Sequence, residues 1–79
     1  MVVQLHYFGA LQEQSGCASE QLTTTAGNID ELFKELQAAG RIVMPSEVLR
    51  VAVNDEFCNW SNPLSDGDSV AFMPPMAGG

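Results

Sequence analysis

Three basic side chains stand against ten acidic ones in these 79 residues, a formal charge of −7. Such a surface repels a phosphate backbone and an anionic leaflet alike, so nucleic acid and membrane are excluded as partners and a basic protein surface is favoured. Cysteine is also scarce: Cys17 and Cys58 form no C-x-x-C pair and supply neither a zinc site nor a disulfide framework. Two thiols cannot hold a four-cysteine iron–sulfur cluster, which removes an electron-carrying role. The single histidine, His6, has no clustered carboxylate or second histidine and is expected to be an ordinary strand residue. The apolar start MVVQLHYF lacks a basic n-region and is too short to span a bilayer, and a cytoplasmic protein is expected.

Aromatics are only 8% of the chain, yet 46% of it is hydrophobic, enough aliphatic material for one core. VVQLHYF (2–8) alternates as a strand, with Val3, Leu5 and Tyr7 on one face and Gln4, His6 and Phe8 on the other. ALQEQSG forms a helical turn or two closing at Gly16, and EQLTTTA (20–26) returns as an antiparallel strand. NIDELFKELQAAG carries the clearest helical signal: Asn28 at the N-cap, Asp30 and Glu31 in the first turn, and Gly40 past the end. Ile29, Leu32, Phe33 and Leu36 make its core-facing stripe. VLRVAVN (48–54) is the next strand, with Leu49, Val51 and Val53 inward, followed by a tight turn at Asn54-Asp55 and a short return strand beginning at Phe57 and Cys58. Asp66-Gly67 turns the chain into SVAFMPP, where Val70 and Phe72 oppose Ser69, Ala71 and Met73. Trp60, beside a turn, is expected to cap the small core. One amphipathic helix over one sheet face gives an α+β fold.

The last eight residues, FMPPMAGG, are uncharged apart from the terminal carboxylate. Pro74-Pro75 disfavours helix and holds the chain extended. Met76, Ala77, Gly78 and Gly79 then narrow to no side chain, a shape that fits a slot too tight for any Cβ. Residues 1–79 are therefore read as one domain with residues 74–79 as an extended, flexible C-terminal tail.

Along its whole length the chain closely resembles the ubiquitin-like sulfur carriers, and among them the MoaD-like small subunits of molybdopterin synthase. VVQLHYFG, VLRVAVND and above all PLSDGDSVAFMPPMAGG carry the likeness. The resemblance implies a β-grasp fold, a mixed sheet packed on one main helix. It implies that an E1-like adenylyltransferase activates Gly79 with ATP, that a persulfide sulfur donor converts it to a thiocarboxylate, and that this sulfur passes to precursor Z (cyclic pyranopterin monophosphate), two carriers being consumed per molybdopterin. The carrier then binds no cofactor itself and has no active site of its own. Its partner is the large synthase subunit, in a heterotetramer of two small and two large subunits. By position, the docking surface includes Phe8, Phe57 and Met73, with Pro74, Pro75, Met76, Ala77 and Gly78 entering the partner. Related proteins often have Phe at Met73 and Val at Met76, and Met can fill the same pockets. The alternatives are a thiamin-pathway sulfur carrier, whose tail generally lacks F-x-P-P, a protein modifier, for which the one lysine, Lys34, leaves little scope for branched chains, and a non-covalent binding module.

Overall fold

The computed structural model describes residues 1–75. Helix α2 (Ile29–Ala38) begins where the sequence caps it. Asn28 is extended and its Oδ1 accepts from Glu31 N at 2.9 Å, while Glu31 Oε1 reaches back to accept from Gly27 N at 2.7 Å. Two amide groups without helical partners are thereby satisfied. Ile29, Leu32, Phe33 and Leu36 are all buried, and at about 1.5–3 kcal/mol per fully buried side chain this stripe anchors the fold.

The stripe rests on a five-stranded sheet of order β2-β1-β5-β3-β4, formed by β1 (Val2–Tyr7), β2 (Ser19–Thr23), β3 (Arg50–Val53), β4 (Glu56–Phe57) and β5 (Ser69–Met73). β1 and β5 run parallel, with Tyr7 opposite Phe72, and the remaining pairs are antiparallel. This mixed sheet over one main helix is a ubiquitin-like β-grasp fold, with Val3, Leu5, Tyr7, Val51, Val70 and Phe72 on its buried face. Trp60 stacks on Phe72 with centroids 6.1 Å apart and meets Phe33 edge-on at 5.0 Å, closing one end of the core as expected. The short helix α1 (Ala10–Ser15) ends at Gly16, whose φ of 85° is left-handed.

Several strand limits differ from the sequence expectation. β1 stops at Tyr7, so Phe8 lies just past it, and β4 is Glu56–Phe57, leaving Cys58 outside. β2 covers Ser19–Thr23 and not residues 20–26, because Thr24 Oγ1 donates to Glu35 Oε1 at 2.8 Å and accepts from Ala26 N at 3.0 Å, turning the chain toward α2. β3 starts at Arg50: after Pro45, Ser46–Val48 coil into a 3-10 turn closed by Leu49 N donating to Ser46 O, and Val48 is exposed. The turn at Asn54 and Asp55 has φ of 52° and 70°, as a two-residue hairpin loop requires.

No helix among the described residues is long and apolar enough to cross a membrane.

Candidate functional site

Alternation sends Gln4, His6 and Phe8, Ser69, Ala71 and Met73, Arg50 and Ala52, and Phe57 to the sheet face away from α2. Register then assembles them: Ala71 stands opposite both His6 and Ala52, Ala52 opposite Phe57, and Met73 opposite Arg50. Phe8, one residue beyond the Tyr7 and Phe72 pair, falls beside Met73, with its N–H 3.4 Å from Phe72 O. His6 Nε2 and Ser69 Oγ are hydrogen-bonded at 2.8 Å, which occupies the histidine structurally.

At the Met73 end of this face lies an open groove of about 660 Å³. Phe8, Phe57, Met73, Pro74 and Pro75 line it, together with Gly9, Ala10, Met44 and Arg50. Residues singled out from three separate stretches of the sequence, Phe8, Phe57 and 73–75, therefore meet at one surface. Phe8 is 48% and Phe57 64% exposed, so the aromatic edges face solvent and not the core. Met76, Ala77, Gly78 and Gly79 lie outside the described residues.

Gly9 meets Pro74 across the mouth of the groove. It holds φ 56° and ψ −133°, a region open in practice to glycine alone. A Cβ there would stand 3.0 Å from Pro74 Cγ. The start of the last segment thus lies against bare backbone.

Sequence reasoning missed Gly9, Ala10, Met44 and Arg50 as groove residues. The alternation that turns Val51 inward could have placed Arg50 outward, on the same side as Ala52. Met44 comes in from the loop ahead of the 3-10 turn and left no periodic signal. Ala52, on the outer face, is nevertheless buried, since both neighbouring strands flank it.

Electrostatics outside the groove are structural. Tyr7 Oη donates to Glu20 Oε2 at 2.7 Å, and Arg41 pairs with the other oxygen of Glu20 while Nη1 donates to Ser15 O at 3.0 Å. Burial, and then the bond to Glu20, hold the Tyr7 hydroxyl well above its ordinary pKa. Burial likewise pushes the Cys58 thiol up. Among the described residues no group of three or more His, Cys, Asp and Glu could hold a metal ion.

The profile of the ThiS family matches residues 5–79. The molybdopterin synthase sulfur carrier subunit of Escherichia coli (strain K12) is 26% identical over 81 residues, spanning 99% of this chain and 100% of the relative. In the complex of subunits 1 and 2 of molybdopterin-converting factor from Helicobacter pylori, the matching chain is 30% identical with a TM-score of 0.74 and full coverage of both chains (100% each). SAMP1 of Haloferax volcanii, 19% identical with 100% of both chains covered, shares the fold at a TM-score of 0.82. On the β-grasp sheet and the match over residues 5–79, the chain belongs to the ThiS family of MoaD/ThiS-type ubiquitin-like sulfur carriers.

Proposed function

We propose that this protein is the sulfur carrier subunit of a molybdopterin synthase, loaded at Gly79. The observation that carries the reading is the groove: Pro74 and Pro75 line the same apolar surface as Phe8, Phe57 and Met73, so the last segment departs from the face that docks. A large subunit seated there receives the tail directly.

The chemistry follows from the weakness of a carboxylate as an electrophile. An E1-like adenylyltransferase joins the Gly79 carboxylate to the α-phosphorus of ATP, releasing pyrophosphate and leaving an acyl-adenylate from which AMP departs readily. The terminal sulfur of a persulfide then displaces AMP to give an acyl disulfide, and a donor-side thiol attacks the donor's sulfur, forming a disulfide and releasing the thiocarboxylate. As with thiolates, the anionic sulfur is nucleophilic at neutral pH. Two loaded carriers supply the two dithiolene sulfurs formed on precursor Z. Acid, base and phosphate-binding groups belong to the partners, and ATP is bound by the activating enzyme. The small subunit binds no cofactor of its own and works in the cytoplasm, in an assembly of two small and two large subunits.

The test is intact mass. Incubation with the activating enzyme, ATP and a sulfur donor should raise the mass by the difference between sulfur and oxygen, located at Gly79. Deletion of Gly79 should abolish that gain while leaving the melting temperature unchanged. An unmodified wild-type chain, or undiminished sulfuration by the deletion variant, overturns the reading.

A further inference from the structure

The chain has three basic side chains apart from His6. Lys34 Nζ lies 3.0 Å from Asp30 Oδ2, one turn away on α2. Arg41 pairs with Glu20. No carboxylate among the described residues pairs with Arg50, which is exposed on the outer face of β3, its guanidinium carbon 5.2 Å from the centre of the Phe57 ring. Among the described residues lining the groove, Arg50 alone is charged. A protein of net charge −7 therefore turns toward its apolar surface a cation that no carboxylate among the described residues neutralises.

In the free protein this exposed cation lies over the Phe57 ring, a contact that suits a weakly hydrated guanidinium. Docking changes that. A partner covering Phe8, Phe57 and Met73 also takes Arg50 out of water, and an uncompensated charge in such a setting is strongly unfavourable. The partner must bring an anion to that point. A carboxylate fits best, since its two oxygens match the guanidinium fork. Around this contact, the ten acids of the chain favour basic groups on the partner.

We propose that Arg50 is a specificity-determining docking residue, and that the large subunit meets it with one Asp or Glu set among apolar side chains inside a basic surround. The inference rests on the carrier reading above, and it adds the chemistry of the partner's surface.

Calorimetric titration of the large subunit from the same organism with wild type, Arg50→Lys, Arg50→Ala and Arg50→Glu tests it. Arg50→Ala should weaken binding about thirtyfold, the scale of losing one half of a desolvated charge pair. Arg50→Glu should weaken it further, and Arg50→Lys, with charge but no fork, should fall between. Melting temperatures should stay level, and reversing one acidic residue of the large subunit to lysine should rescue Arg50→Glu. Wild-type binding with Arg50→Ala within twofold of it overturns this inference alone. Tighter binding by Arg50→Ala also overturns it, as it would show Arg50 holding this chain's own terminal carboxylate. Absence of wild-type binding overturns the carrier reading and the inference together.

Discussion

Gly9 and Pro74 lie so close that a β-carbon on Gly9 would stand 3.0 Å from Pro74 Cγ, tighter than ordinary van der Waals contact. The second residue after the first strand and the first residue after the last thus lie side by side. Gly9→Ala should lower stability by about 1–3 kcal/mol, through backbone strain at φ 56° and the clash. In a Pro74→Ala background, which lacks Cγ, the same change should be less harmful. Urea denaturation of the four proteins in the cycle measures this coupling, and strict additivity would show that the ring and the glycine act independently.

The exposure of Phe8 and Phe57 separates docking from folding. Phe8→Asp and Phe57→Asp should each reduce large-subunit affinity at least about tenfold, while unfolding free energy shifts by roughly 0.5 kcal/mol or less, as for other surface changes. A large fall in melting temperature would instead place these rings in the core.

Tyr7 gives the protein an alkaline limit. Its pKa is raised in the folded state, so its contribution is fully present below the unfolded value of about 10 and is lost as pH rises beyond it. Tyr7→Phe should reduce stability at neutral pH by about 1–3 kcal/mol through loss of the bond to Glu20. The gap between variant and wild type should narrow above pH ~10. Thermal melts from neutral to strongly alkaline pH check the sign, and a widening gap would contradict it.

At Asp55 the φ of 70° places an L-residue where glycine is more comfortable. Asp55→Gly should therefore stabilise the β3 to β4 hairpin, by about 1 kcal/mol or less, read from the denaturation midpoint.

Local chemistry was the part of the structure open to reading in advance. Asn28 with Glu31, the alternation of Val3, Leu5 and Tyr7, and the Asn54-Asp55 turn each specify geometry within a few residues, and each is found as expected. The limits of β2 and β3 were not readable, because Thr24 ends its strand by bonding Glu35 eleven residues on, and Val48 leaves the sheet to coil after Pro45. The groove was half legible. Alternation turns Phe8 and Met73 outward and the resemblance adds Phe57, yet that they converge depends on strand order, and Met44 and Gly9 enter through loops whose paths no periodicity encodes.

β5 is the last strand in the chain and the middle strand of the sheet. During translation its place between β1 and β3 stays open until Met73 has been made, so β1 and β3 have nothing to join them. The sheet can therefore close only once β5 has been made. A product lacking β5 would be an unfolded chain open to proteolysis.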